Sequence, residues 1–498
     1  MTDSRSAQCA ALSKVLPNAV IFPSDASYAT FSGSYWSKQE ESVSPSCVVR
    51  PNSAQDVSTI IKTLTQCNDA NSDPCSFAIR GGGHTPWAGS ANIEGGVTID
   101  MKEMNEIDVN KDQAIVSVGA GAIWGEVYKK TDSLGLSVVG GRGASIGVGG
   151  LLTGGGISYF SARKGFACDN VVNYEIVLGD GRIVDASAES NPDLWLALKG
   201  GSNNFGVVTR FDMRASEQGD FWGGSIIYAD SVTPQLLQSF ATLNDAHSFD
   251  EYAALIFSFS YTSAYGFLTA ANIEYTKATP NPPAFHDFTA AKPQLMNTMR
   301  ISNQTDFTTE FVQSQPSGRR CVASSLVHKN GNLTFVRRQL YLTSTFGNDL
   351  SFLNFVYDLF KSMPFAPLGT IPNLAISVTI QPMPPAITSR SGPLGGNSLG
   401  LNLADGSLVL CLLSATWDSA ADDYRIRNVV NTLHDGLVAE ARKRSLLNDW
   451  IYLNYADKSQ DPIAGYGSEV KKRLRETSAK YDSDQIFQKM VPGGFKLS

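Results

Sequence analysis

The sequence predicts an α+β protein of two domains. Three observations lead there. The chain has 498 residues, more than a single hydrophobic core ordinarily serves. Glycine crowds the first 212 residues in three blocks and thins out from about residue 213. Beyond that point strand-like apolar runs alternate with helical ones, the pattern of an antiparallel sheet with helices on one face. The expected division is a glycine-rich domain over 1–212 and a substrate-binding domain over 213–450, followed by a segment 451–498.

Composition narrows the class. Apolar content of 42% with 17% charged residues describes a folded chain, not a disordered one. The net charge of −7 and the lack of a basic run argue against a nucleic-acid partner. No uninterrupted apolar stretch is long enough to span a bilayer. A small-molecule substrate is the expected partner.

The first domain opens with a strand, Ser46 to Pro51, ended by proline. Asn52 or Ser53 can cap the helix that follows, in which Val57, Ile60, Ile61 and Leu64 fall at helical spacing. A second strand, Ser76 to Ile79, completes a parallel crossover unit and runs into Arg80, Gly81, Gly82, Gly83 and His84. Three glycines carry no side chain to hold a charged group off the backbone, and they admit φ > 0, so their N–H groups can turn inward as an anion nest. An imidazole thus stands one residue beyond a phosphate cradle. Thr85 belongs to the same turn.

Two strand-like runs, Asn105 to Val109 and Ala114 to Val118, precede a helix from Ile123. Gly119 and Gly121 do not make a dinucleotide fingerprint, because Trp124 stands where the third glycine belongs. A second block, Gly140 to Gly156, interleaves glycines with Ile146, Val148, Leu151 and Leu152, which a flexible linker would not do. So much glycine costs backbone entropy, and close approach of the backbone to a ligand accounts for it. Ser145, Gly147, Gly150, Thr153, Gly154 and Gly155 are the candidate contacts. A hairpin over Val171 to Val184 and a short helix, Asn191 to Leu198, lead to the third block, Lys199 to Thr209, with Val207 at a strand start.

Arg80 to His84 and the two later blocks resemble the FAD-binding loops of the vanillyl-alcohol-oxidase flavoproteins, in the branch similar to berberine bridge enzyme. The resemblance implies a PCMH-type FAD-binding domain of two subdomains. It implies FAD bonded covalently to His84 through the flavin 8α-methyl. Many relatives add a cysteinyl bond from the second block; Gly143 stands at that position here, and a single link through His84 is therefore expected. Tyr452, Asn454 and Tyr455 resemble the segment that lines the flavin before the chain returns to the FAD domain over 451–498. In plant relatives an acidic residue or glutamine lies on a strand over the flavin. Gly395 to Leu401 resembles that segment, with Gly400 at the acidic position, so Tyr452 or Tyr455 becomes the candidate base. Each tyrosine could equally be aromatic packing with a bonded hydroxyl.

An FAD-linked oxidoreductase is the expected activity, removing hydride from a C–H next to OH or NH of a small organic molecule, with molecular oxygen as acceptor. Oxidation of a carbohydrate hydroxyl and a non-redox isomerisation or cyclisation are the alternatives. No metal site is expected. His247, His286, His328 and His434 lack motif context and read as surface or satisfied histidines.

Cys9, Cys47, Cys67 and Cys75 lie in the first 75 residues. They are either buried thiols or two disulfides of a secreted protein. Of three connectivities, Cys47–Cys75 with Cys9–Cys67 is favoured, because Cys47 and Cys75 open runs that could pair as strands. Met1 to Arg5 lack an apolar signal core, which fits a cytoplasmic protein or a mature secreted chain. Sequons at Asn303 and Asn332 favour the secretory pathway.

Overall fold

The computed structural model describes residues 4–66, 75–314 and 337–497. Four strands form the first sheet: β1 (Val20–Ile21), β2 (Cys47–Val49), β3 (Phe77–Arg80) and β4 (Val97–Asp100). Their order is β1-β2-β4-β3, with β2 and β3 both parallel to β4. Every residue of β2 and β4 is buried, as expected of parallel strands covered on both faces. The helix Ala54–Gln66 makes the crossover and buries Val57, Ile60, Ile61 and Leu64. Ser53 Oγ caps it, accepting from the Asp56 amide at 3.1 Å.

This strand order overturns the expected disulfides. β4 lies between β2 and β3, so the runs opened by Cys47 and Cys75 are not neighbours. Cys47 instead bonds Cys9, on the helix Ser4–Val15, with Cα atoms 6.0 Å apart. Neither Cys47–Cys75 nor Cys9–Cys67 forms. Cys67, Cys321, His328 and the Asn332 sequon lie outside the described residues.

The second sheet contains β5 (Ile107–Val109), β6 (Ile115–Gly119), β7 (Leu136–Val138), β8 (Val171–Val177), β9 (Ile183–Ser187) and β10 (Val207–Glu217). The order is β5-β6-β10-β8-β9, and β7 also pairs with β10. β8 and β9 form the expected hairpin, with Val177 opposite Ile183.

The third sheet is wholly antiparallel. It contains β11 (Phe221–Ala229), β12 (Ala253–Thr262), β13 (Gly266–Tyr275), β14 (Gln294–Asn297), β15 (Arg300–Ser302), β16 (Arg338–Gly347), β17 (Ala375–Met383), β18 (Leu408–Trp417) and β19 (Leu447–Asn448). The order is β14-β11-β13-β12-β17-β18-β16-β19, with β15 also on β11. One face is apolar: Leu255, Phe257 and Phe259 of β12, and Ile376, Val378 and Ile380 of β17, alternate into a core shared with the helices Thr233–Leu243, Leu350–Ser362 and Asp423–Lys443. On the other face stand Ser258, Asn272, Ser377, Thr379, Gln381 and Ser414. The period of two thus separates a greasy face from a polar one.

Two apolar cores result. One gathers residues from Cys9 to Phe221 and again from Trp450 to Leu497, joined by Phe307, Met383, Ile387, Leu399, Leu408 and Leu410. The other gathers residues from Trp222 to Ala441. The late segment re-enters the first sheet, where the Phe77 amide donates to Met490 O at 2.8 Å.

Gly395 to Leu401 is not a strand. Gly395, Gly396 and Gly400 take φ of +90°, +79° and +81°, so the segment turns repeatedly. A Cβ at Gly400 would fall 2.4 Å from Tyr466 O, which places Gly400 against protein backbone. It is absent from the cavity wall, and the expectation that it marks the acidic position is withdrawn.

Candidate active site

A cavity of about 380 Å³ lies where the glycine blocks meet the polar face of the third sheet. Gly81, Gly82, Gly83, His84 and Thr85 form one wall. Ser145, Gly147, Gly150 and Thr153 form the next, and Val207 opens β10 beside them. The two glycine loops touch: a Cβ at Gly82 would lie 2.5 Å from Gly147 N. Among the described residues, the N–H groups of Gly81, Gly82, Gly83 and His84 donate to no protein acceptor. Gly83 adopts φ +63°, the left-handed conformation an inward-turned nest uses.

His84 is held from two sides. Its Nε2 lies 3.2 Å from Ser145 Oγ. Its ring stacks on Trp36 with centroids 4.6 Å apart and planes at 16°. Trp36 is fixed in turn by an amide hydrogen bond to Gly83 O at 3.1 Å. Burial pushes the imidazole down to about 4, so it is neutral at physiological pH.

The far wall carries Arg142, Gln381, Tyr452, Asn454 and Tyr455. Arg142 Nη2 donates to Gln381 Oε1 at 2.5 Å and to Tyr455 Oη at 3.1 Å. Gln381 Nε2 approaches the same phenol at 3.4 Å. Tyr455 Oη therefore faces two donors. Tyr452 is buried, and its Oη accepts from Ile157 N and Asn454 Nδ2, both at 3.1 Å. Burial raises its phenol well above the usual range.

Three sequence candidates stand behind the wall. The Arg80 guanidinium lies 3.8 Å over the Tyr35 ring and donates to Ser34 O at 2.9 Å. Gly154 packs against Asn454, and Gly155 against Leu399. His247, His286 and His434 do not line the cavity. Sequence reasoning missed Trp36, Arg142 and Gln381. For Gln381 a signal existed, since Ser377, Thr379 and Gln381 alternate with Ile376, Val378 and Ile380.

Known proteins bear on this geometry. Residues 45–187 match the family model for an FAD binding domain. The FAD-dependent monooxygenase sdcF of Emericella nidulans is 36% identical over 492 residues, covering 98% of both chains. The chain belongs to the family of these FAD-dependent monooxygenases, FAD-linked oxidoreductases built on this FAD binding domain. Two solved structures share the fold. Physcomitrella patens BBE-like 1 matches with TM-score 0.75 at 19% identity over 99% of each chain. The glucooligosaccharide oxidase of Acremonium strictum, described with a 6-S-cysteinyl, 8α-N1-histidyl FAD, matches with TM-score 0.73 at 16% identity over 98% of each.

In this FAD-linked oxidoreductase the cavity fits FAD. Four consecutive unpaired amides suit a pyrophosphate. No atom lies within 4 Å of a Cβ built on Gly150, so the backbone there is open to a ligand. The Trp87 indole N–H, also at the wall, has no acceptor among the described residues. Among the described residues no helix is long and apolar enough to cross a membrane.

Proposed function

We propose that the chain carries FAD through a single covalent bond from His84 and oxidises a carbon bearing OH or NH in a small organic molecule. The isoalloxazine ring, when bound, supplies the hydride acceptor. The observation that carries the reading is the placement of a neutral His84 and the Arg142–Tyr455–Gln381 group on walls of one cavity.

His84, uncharged and stacked on Trp36, presents a ring nitrogen able to form the bond. Gly143, which lines the same cavity, offers no second attachment. Tyr455 Oη, held by the Arg142 and Gln381 donors, relays the proton released from the substrate hydroxyl or amine. Tyr452 positions Asn454 and the Ile157 backbone. Molecular oxygen is the proposed acceptor of the electrons. The Cys9–Cys47 disulfide supports a secretory compartment. A carbohydrate hydroxyl is the second reading, favoured by the hydroxyl pairs Ser258–Thr379 at 2.8 Å and Ser377–Ser414 at 2.7 Å on the cavity floor.

The test is to denature purified protein in acid and record the spectrum and mass of the His84 peptide. A flavin-mass adduct on that peptide supports the reading; flavin released into solution sinks it. Anaerobic bleaching of the bound flavin by a candidate alcohol or amine then reports the redox step.

A further inference from the structure

Arg142 is the one permanently charged side chain among the described residues of the cavity wall, from which Asp, Glu and Lys are absent. The guanidinium remains charged under all ordinary conditions. It is 8% exposed and makes no ion pair among the described residues. Both of its protein contacts use Nη2, so among the described residues Nε–H and the Nη1 donors have no acceptor.

Nearby carboxyls do not cancel the charge. Glu274 is 3% exposed, and burial raises its carboxyl well above the usual carboxylate range, against the pull of Arg142. Glu310 is engaged by Arg300 and by Thr298 Oγ1. The Arg142 backbone is fixed, since Tyr159 Oη donates to its carbonyl at 3.2 Å and Tyr128 Oη to that of Gly141 at 2.6 Å. A cation is thus set in the wall with unused donors in a planar fork. On the same cavity wall the rings of Trp36, Tyr341 and Tyr455 follow one another edge to face at 5.5 and 6.0 Å, and offer aromatic surface for a conjugated ring to pack against.

We propose that Arg142 is a specificity residue, and that the substrate is a flat conjugated molecule carrying an acidic enol or phenol oxygen received by the Arg142 fork. This deepens the oxidoreductase reading above and rests on it. A neutral sugar would leave the fork without its anion, so the inference selects against the carbohydrate alternative.

The test uses flavin-loaded protein near neutral pH and three flat probes: 4-hydroxycoumarin, an enol acid, and the neutral coumarin and 4-methoxycoumarin. Cellobiose serves as the neutral polyol. Binding is read from perturbation of the flavin absorbance. The enol acid is expected to bind at least about tenfold tighter than either neutral coumarin, the scale of one charge-assisted hydrogen bond. Arg142→Gln should remove that preference, and Arg142→Lys should keep part of it. Equal binding of acid and neutral probes, no perturbation by the enol acid, or tighter binding of cellobiose overturns the proposal. So does an Arg142→Gln protein that keeps the preference. The comparison within the wild-type protein stands even if the variant fails to fold. Failure of the underlying reading registers separately, as loss of the flavin adduct on the His84 peptide.

Discussion

Gly82 and Gly147 meet backbone to backbone. A Cβ on Gly147 would fall 2.4 Å from Gly82 N, and one on Gly82 would fall 2.6 Å from the Gly147 Cα. Nothing flexible separates the two loops, so either alanine substitution must push a cavity wall aside. Gly82→Ala or Gly147→Ala should destabilise the protein by about 1–3 kcal/mol, as overpacking does, and lower its FAD content. Gly150→Ala separates fold from cofactor, because its Cβ meets no protein atom within 4 Å. Gly150 lies in the helix Val148–Thr153, so the substitution should keep or slightly raise the melting temperature of FAD-free protein and still reduce FAD capture. Thermal melts and flavin-to-protein ratios on the three variants decide the matter.

The neutral state of His84 has a pH signature in FAD-free protein. Its folded value, about 4, lies below the ordinary 6.5. Between these values the unfolded chain binds the proton and the folded chain does not, so stability falls as pH drops through that window. His84→Asn removes this contribution. The stability difference between wild type and variant should therefore shift against the wild type from about pH 7 to about pH 5. A difference that stays constant in urea melts at the two pH values would contradict the burial account.

Tyr455 and Tyr452 should separate cleanly. Tyr455→Phe should slow anaerobic flavin reduction by roughly 10²–10³-fold, the usual scale of a general base, with the flavin still attached. Tyr452→Phe leaves the Ile157 amide and Asn454 Nδ2 without that acceptor, and should cost about 1–3 kcal/mol of stability. Stopped-flow reduction and denaturant melts of both variants test the division. Comparable slowing in both would remove Tyr455 from its proposed role.

Removing the Cys9–Cys47 bond opens a loop with a sequence separation of 38. Cys9→Ser with Cys47→Ser should cost about 4 kcal/mol by the loop-entropy relation. Both sulfurs sit in the first core, so the effect should appear in the melting of the FAD domain.

The parts of this fold that were legible in the sequence are those with local causes. The glycine blocks announce themselves because few other settings tolerate such backbone freedom. The β8–β9 hairpin is legible from its Gly179–Gly181 turn, and the crossover helix from the spacing of Val57, Ile60, Ile61 and Leu64. What failed depended on neighbours distant in sequence. The disulfide pairing required knowing that β4 inserts between β2 and β3. Gln381 was passed over because Gly395 to Leu401 offered a glycine pair, whose segment turns left-handed where Gly395, Gly396 and Gly400 pack on Trp195, Leu196 and Tyr466. Arg142 sits among glycines, where a charge ordinarily reads as solvated. Only the fold shows that residues 239 positions apart place Gln381 against it.

Gly494 and Phe495 line the cavity together with Gly81 and His84, and the Phe495 ring packs against Trp87 at 5.9 Å. The pocket is therefore stitched from residues made early and residues made much later. On the ribosome, the emerging His84 loop has no finished pocket to serve until synthesis passes residue 495. Flavin loading is thus coupled to completion of this segment, and chains truncated before residue 490 should accumulate colourless however much cofactor surrounds them.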